Sequence, residues 1–360
     1  MNSLIEVLAE ISDNRRAYQI SYPLPQVIAL VIIALLAGMQ NILHIEYFSK
    51  THSHWIQKAL GLQKIPSDTT ISRILQSISI EELETALMLW IKQLFKDKPT
   101  RKRLAIDSKR MANEQMLTRA LILGVRQLMG SSRFNKHQSE IKNISKLLKR
   151  LYLKGYLISI DAIGTHKELA DLIVSKSADY ILPVKGNQKS LCENLKFFCD
   201  NEKADSVSET IENSHGRFEK RKVHAFTDVS WLKVCNPGWE SVKSFCLLES
   251  YREEKNKPPS TTFRVYICSR ILNAEEFLYE IRSHWDIENK LHWPLNQSFH
   301  ENKTRLQNFN AMTNFSILLT SAITLLAQFK DPKISFNLQR FMLSWNLELI
   351  EKCLYLKVSQ

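Results

Sequence analysis

No two cysteines in this chain stand in C-x-x-C spacing, and its most apolar run is too short to cross a bilayer. The six cysteines (Cys192, Cys199, Cys235, Cys246, Cys268 and Cys353) are scattered, which argues against a structural zinc site. Without a signal peptide they read as reduced thiols, and a cytoplasmic protein is expected. The most apolar stretch, Val27 to Met39, falls short of the roughly 20 residues a membrane span needs. It reads as a buried helix, and no membrane partner is expected. Internal repeats and low-complexity segments are lacking as well. Acidic residues are in deficit: 37 Asp+Glu face 49 Lys+Arg, a formal charge of +12. That surplus suits an anionic partner, nucleic acid first, although a merely basic soluble protein fits it equally.

What is present is 360 residues with 44% hydrophobic content, enough for a sizeable core and two or three domains. Two short apolar runs each end on an aspartate. Leu104-Ala105-Ile106 runs into Asp107, and Leu157-Ile158-Ser159-Ile160 runs into Asp161. A buried strand has no use for a carboxylate, so each should sit where its strand leaves the core. Two such carboxylates in a basic chain suggest a metal site.

The stretches between are informative. Residues 1–95 read as helical, with Pro25 suited to the first turn of the apolar helix. His44, His52 and His54 have no ligand-like spacing and read as surface or satisfied histidines. In I-P-S-D-T-T-I-S-R-I-L, Ser67 or Asp68 fits an N-cap and Ile71, Ile74 and Leu75 share one face. Thr69, Thr70 and Arg73 are left on the other, as in the second helix of a helix-turn-helix, though a capped bundle helix fits as well. The K-D-K-P-T-R-K-R run at 96–103 reads as a linker.

From Arg103 the chain alternates. Leu104–Asp107, Leu157–Asp161 and Tyr180–Val184 read as strands, and Leu117–Leu128 as strand or helix. Helices are predicted over Ile141–Leu153 and near Lys167–Lys176, giving an α/β layer with parallel pairing. Over about 200–270 three strands (Arg217–Thr227, Ser244–Tyr251, Thr261–Ser269) suggest an antiparallel insertion. A long helix is predicted from Ala274 to about Trp293, then helices over 308–328 and 337–355. In the long helix Ile281, His284, Trp285, Glu288, Leu291, His292 and Leu295 fall three or four apart on one face. Glu288 on that stripe needs a partner, and a hard cation shared with Asp107 and Asp161 would serve. Trp285 and Trp293 read as core packing.

The ordered blocks I-D-S-K, K-H-Q-S-E-I, I-S-I-D-A-I-G-T-H-K-E, D-Y-I-L-P-V-K-G-N-Q, H-G-R-F-E and I-R-S-H-W-D-I-E-N-K-L-H-W resemble the DDE transposases of bacterial insertion sequences. The H-repeat-associated type is the nearest in pattern, and Y-P-L-P and I-P-S-D-T-T-I-S-R resemble its associated helical domain. The resemblance implies a ribonuclease H-like catalytic core over 100–330 with a β-rich insertion at about 200–270. An all-helical domain over 1–95 precedes it and a C-terminal helix over 331–360 follows. It implies Asp107, Asp161 and Glu288 as catalytic residues and metal ligands. They would hold two Mg²⁺ ions, with Mn²⁺ able to substitute, roughly 3.5–4 Å apart. It implies cleavage and strand transfer of DNA, with the element's terminal repeats and target DNA as partners and a homodimer pairing the two ends. Candidate DNA contacts are Lys109, Lys185, Asn187, Gln188, His215, Arg217, Arg221, Arg282, His284, Asn289 and His292, besides Thr69, Thr70 and Arg73. Lys185, Asn187 and Gln188 would alternatively be a polar turn, and Arg217 and Arg221 a solvated strand face.

The chain departs from the family's pattern in two places. The segment between I-D-S-K and Leu117 is short. Asn296 and Asn302 stand where the family often has aspartates. These departures leave open a catalytically impaired DNA-binding remnant, and a branched-DNA nuclease of the same fold is a third class.

Overall fold

A computed structural model describes residues 3–355 apart from 17–19, 95–101, 112–114, 136, 215, 305, 330 and 332. Six helices come first: α1 (Leu4–Ala9), α2 (Leu24–Leu36), α3 (Ile42–Thr51), α4 (Ser53–Leu60), α5 (Asp68–Ser77) and α6 (Ile80–Leu94). Strands β1 (Arg103–Arg110), β2 (Gln115–Ile122) and β3 (Gln127–Asn135) come next, then α7 (Glu140–Arg150), β4 (Leu157–Ile160), α8 (Lys167–Ser175), β5 (Asp179–Val184) and α9 (Lys189–Asn201). After these stand β6 (Ser206–Ser214), β7 (Arg217–Phe226), the short α10 (Leu232–Cys235), β8 (Ser244–Glu254) and β9 (Lys257–Cys268). The chain closes with α11 (Ala274–His284), a π-helical turn over Glu288–His292, α12 (Trp293–Gln297), α13 (Phe309–Phe329), α14 (Phe336–Trp345) and α15 (Leu347–Tyr355).

These elements form two compact units. One comprises Met1–Arg101, Ser108–His137 and Ile287–Gln360, and the other Lys102–Asp107 and Gln138–Asp286. The chain passes between them inside β1, after Asp107, and again just ahead of Glu288.

The helical unit is built on two apolar helices. In α2 Pro25 occupies the first turn and Val27 through Leu36 are all buried. The 21-residue α13 is long and apolar enough by composition to cross a membrane, but 89% of its most apolar window is buried. Its hydroxyls from Thr313, Thr320, Ser321 and Thr324 donate back to carbonyls four residues earlier, which satisfies those four donors inside the core. Asn314 donates from its amide to Leu75 O and Ile78 O and closes the C-terminal end of α5. Ser67 caps the other end of α5, and Ile71, Ile74 and Leu75 are buried. Met111 N–H donates to Gln115 O between β1 and β2, and β2 pairs antiparallel with β3. The run left as strand or helix is therefore a hairpin, turned around Gly124 at positive φ.

The second unit is a sheet. Residues 103–106 of β1 pair parallel with β4, β4 pairs parallel with β5, and β5 pairs antiparallel with β9. Beyond β9 the order continues β8-β7-β6. All four residues of β4 are buried, the continuous apolar pattern of a central parallel strand. Helix α7 covers its crossover with Ile144, Leu147 and Leu148 buried, as its spacing predicts. The insertion extends this sheet and has one strand more than the sequence suggests. In β6 the apolar Val207 and Ile211 are exposed while the polar Ser208 and Thr210 are half-buried, so the hydropathy of this edge strand runs against its burial alternation. Helix α11, opened by an Asn273/Glu276 capping box, packs Phe277 and Ile281 onto Val223, Cys246 and Cys268.

An antiparallel meander is thus followed by helix, parallel strand, helix and parallel strand. This is the ribonuclease H-like succession, with helices at both ends of the chain and a β-rich insertion.

Candidate active site

The sheet unit brings Asp107 and Asp161 together. Ile106 and Ile160 are partners in the parallel β1–β4 ladder, so the residue after each stands at the C-terminal end of two adjacent strands. Crevices at such strand ends are the usual place for a site in an α/β sheet. The Asp161 carboxyl is held above its usual range by partial desolvation first and the Asp107 carboxylate second, while Lys185 pulls it down. Ionising both acids here is uphill without a cation.

The loop after Asp161 is pinned. Asp161 Oδ1 accepts from Ile163 N–H at 3.2 Å, opening a short 3₁₀ turn over Ala162–Gly164. A Cβ at Gly164 would sit 2.3 Å from Ile160 Cγ2, so only glycine lets the turn lie on the strand. Asn187 donates to Ala162 O and Thr165 O at 2.9 and 3.3 Å, and Gln188 to Thr165 O at 3.1 Å. Their amide N–H groups are thus engaged by backbone carbonyls, which favours the polar turn over a DNA contact. Lys185 beside them is exposed and unengaged by that turn. On α11, His284 Nδ1 lies 2.8 Å from Ser159 Oγ. Burial holds His284 below the usual histidine range, partly offset by Asp107. The imidazole is thus anchored on Ser159, and its burial disfavours the charged form.

The helical unit holds Glu288 in the π turn that succeeds α11. Single π turns inside helices are often functional sites. Glu288 Oε2 meets His292 Nδ1 at 3.1 Å; Glu288 is half exposed and His292 buried. The single face predicted at α-helical spacing is interrupted, because α11 ends at its cap residue Trp285 and Glu288–His292 follow as a π turn instead of continuing the α-helix. Ile281, Leu291, His292 and Leu295 are buried, but Trp285 and Trp293 are 50% and 57% exposed. Their assignment to core packing is thereby overturned. Asn289 is exposed.

Lys109 is also reassigned. It is buried, not facing DNA, and donates to Asn296 Oδ1 and Glu301 Oε2, each at 2.6 Å. Glu301, buried, also pairs with Arg119 and accepts from Ser316 Oγ at 2.6 Å. Arg119 is a charge inside an otherwise apolar strand, and that oddity was the available signal for this network. Its two cations hold the Glu301 carboxyl down at about 2 against the opposing effect of burial. Asn302 donates to Asn296 Oδ1 at 3.0 Å, so the two departures from the family pattern bond to each other.

Arg217, Arg221 and Arg282 are engaged by acids of the insertion. Arg217 meets Glu219 at 3.2 Å, Arg221 meets Glu219 and Glu212 at 2.5 and 3.2 Å, and Arg282 meets Glu212 at 2.5 Å. This favours the charged strand face over a grip on DNA. His215 lies outside the described residues. On α5, Thr69 and Arg73 are exposed and line a cavity with Asn41, Leu43 and Ser72, while Thr70 Oγ1 is held 3.0 Å from Ser67 Oγ. His44 and His54 are exposed.

An aspartate pair at adjacent strand ends of a ribonuclease H-like sheet places two hard-oxygen donors side by side. Comparison with known proteins goes further. Residues 102–325 match the Transposase DDE domain family, and residues 5–91 the DDE_Tnp_1-associated family. The transposase-named YncI of Escherichia coli O157:H7 is 31% identical over 382 residues, covering 98% of this chain and 95% of that one. The H repeat-associated, transposase-named YhhI of E. coli K12 is 30% identical over 363 residues, covering 95% and 94%. The chain belongs to the DDE transposase family, enzymes that cut and transfer polynucleotide strands. A chain from a cryo-EM structure of a piggyBac transposase synaptic complex with hairpin DNA aligns at TM-score 0.42 and 11% identity, over 99% of this chain and 78% of that one. A likeness of that size carries no argument.

Proposed function

We propose that the chain binds the ends of its own insertion sequence, cuts them, and joins the freed 3′ ends to target DNA. In this reading Asp107, Asp161 and Glu288 hold divalent cations, Mg²⁺ or Mn²⁺. Such ions supply charge neutralisation at a phosphoryl group undergoing in-line displacement. The observation that carries the reading is the Asp107–Asp161 pair: two adjacent carboxylates, one with its ionisation opposed by the other, form a hard-oxygen donor set fitted to such ions.

The chain's own residues then have distinct tasks. The turn after Asp161, packed on Ile160 through Gly164 and clamped by Asn187 and Gln188, fixes one carboxylate before substrate arrives. Lys185 is the cation placed to meet a phosphate beside it. Ser159 holds His284 in one orientation. Thr69 and Arg73 on the open side of α5 contact the element end. The reaction takes place on DNA in the cytoplasm.

The test is direct. Purified protein, its element ends and Mg²⁺ should yield nicked or cut DNA, and Asp161→Asn should yield none. If both proteins behave alike, the carboxylate assignment falls.

A second reading rests on Asn296 and Asn302, amides where related chains often carry acids: the protein binds ends without cutting them. Retarded DNA in a gel with no product in Mg²⁺ or Mn²⁺ would support it.

A further inference from the structure

The last two helices carry apolar surface that the fold does not use. Helix α14 buries Phe336, Gln339, Arg340 and Leu343. On its other side Leu338, Phe341, Met342 and Trp345 are 46%, 59%, 57% and 79% exposed. Their spacing of three, four and seven makes one continuous stripe, and Leu349 on α15, which follows, is 44% exposed as well. Phe341 and Trp345 already touch, with ring centroids 5.8 Å apart. Scattered exposed apolar residues need no explanation, but a contiguous stripe rich in Trp, Phe and Met does.

Its charge narrows the occupant. Residues 336–355 contain Arg340, Lys352, Glu348 and Glu351, a net charge of zero in a chain of +12. Arg340 is turned inward, its guanidinium spent on Leu35 O, Ser298 O and Met39 O. A stripe bare of outward arginine is a poor surface for DNA or for an anionic membrane, both of which select Lys and Arg. It is instead the kind of surface on which two strongly basic chains can meet without setting like charges against each other. The exposed parts of the five side chains amount to something on the order of 500–600 Å². Doubled across a two-fold axis, that reaches about the lower end of a specific interface. A single helix face of this shape is self-complementary under such an axis.

We propose that Leu338, Phe341, Met342, Trp345 and Leu349 form an isologous interface between two copies of this chain. The proposal supplies a pairing surface for the transposition reading above, in which two element ends must be held at once. It is separable from that reading, since a monomer can still nick one end.

The experiment is light scattering coupled to gel filtration on the DNA-free protein in high salt, with Trp345→Asp and Met342→Lys alongside the wild type. The wild type should run at twice 41.8 kDa at micromolar concentration. Both variants should run at 41.8 kDa with an unchanged circular-dichroism spectrum and an unchanged yield of single-end nicking in Mg²⁺. A wild type that is monomeric at about 50 μM overturns the proposal, as does a dimer that both variants keep. So does a monomer whose tryptophan emission moves to the blue on neutral or anionic vesicles, because the stripe would then belong to a lipid surface. Loss of nicking in the wild type, with the dimer intact, would strike the functional reading alone.

Discussion

The buried carboxylate Glu301 offers the sharpest test of how the helical unit is held together. It is 2% exposed and meets Lys109, Arg119 and Ser316. Its carboxyl is lowered from 4.5 to about 2, which corresponds to about 3 kcal/mol of stability at neutral pH. The network as a whole is worth less, because burial penalises the charge of Lys109 and holds its pKa down. Removing only the anion is the costly change: Glu301→Gln leaves Lys109 and Arg119 buried without a counter-charge, and should cost about 3–5 kcal/mol. Removing a cation as well, in Lys109→Met/Glu301→Gln, should cost less than the single change.

The pH dependence has a definite sign. Because the folded carboxyl is more acidic than the unfolded one, its contribution is complete above about pH 4.5 and disappears as pH falls toward about 2. At pH 3.5 the unfolded state has already taken up most of the proton and the folded state has not, so roughly 1.4 kcal/mol of the contribution is gone. Urea unfolding of wild type and Glu301→Gln, followed by circular dichroism at pH 7 and pH 3.5, should show the gap between them narrowing by about that amount. Other carboxylates titrate in both proteins and cancel in the difference. A gap under about 1 kcal/mol at pH 7, or one that does not narrow, would refute this account.

Three further outcomes follow from the geometry. In metal-free buffer Asp161→Asn should raise the melting temperature slightly, since it removes a repulsion with Asp107. Added Mn²⁺ should stabilise the wild type and not the variant, by about 2.7 kcal/mol at a hundred times its dissociation constant; equal shifts in differential scanning fluorimetry would place the cation elsewhere. Gly164→Ala must displace the turn from Ile160, whose Cγ2 would lie 2.3 Å from the new methyl, so cleavage in a gel assay should fall at least tenfold while Gly186→Ala, with open space around it, leaves it near normal. Arg340→Met should lower stability by about 3–5 kcal/mol, because three carbonyls lose their donor and the stacking on Phe299 at 4.0 Å is lost; a urea midpoint within error of wild type would contradict it.

The sequence made some of this legible because local pattern and burial agree there. Leu157–Ile160 is apolar because both faces of the strand are covered, and Ser67 precedes an apolar face because it caps α5. The aspartates stand out for the same reason, since each breaks such a run. Where burial and local pattern part, the reading fails. Edge strand β6 turns its apolar Val207 and Ile211 to solvent and half-buries the polar Ser208 and Thr210. Lys109 looks like a surface base, and only a glutamate 192 residues later in the sequence makes it a core residue. The π turn at Glu288 breaks the α-helical spacing, and Pro294 two residues beyond it, which has no N–H to give the preceding turn, is the local sign of that break.

These failures share a cause that bears on the site itself. Asn187, Gln188, Lys109, Arg217, Arg221 and Arg282 are polar or basic residues in matching motifs, and such residues invite assignment to the anionic substrate. In the fold each meets a protein partner first: a carbonyl, a buried glutamate or an acid of the insertion. Among the described residues, Lys185, Asn289, Thr69 and Arg73 keep an exposed position suited to a DNA contact. The motif blocks around Asp161 and Asp107 therefore describe a support as much as a binding surface. Amides and ion pairs hold the turn after one aspartate and the strand that carries the other, which on the proposed reading places the carboxylates before the substrate enters. On that account, substituting a supporting residue such as Asn187 should lower the rate of cutting with little change in DNA affinity, whereas substituting Lys185 or Arg73 should weaken binding and flatten its salt dependence. A filter-binding titration at two salt concentrations, run beside a single-turnover cutting assay, separates the two groups, and a loss of affinity in Asn187→Ala as large as that in Arg73→Ala would dissolve the distinction.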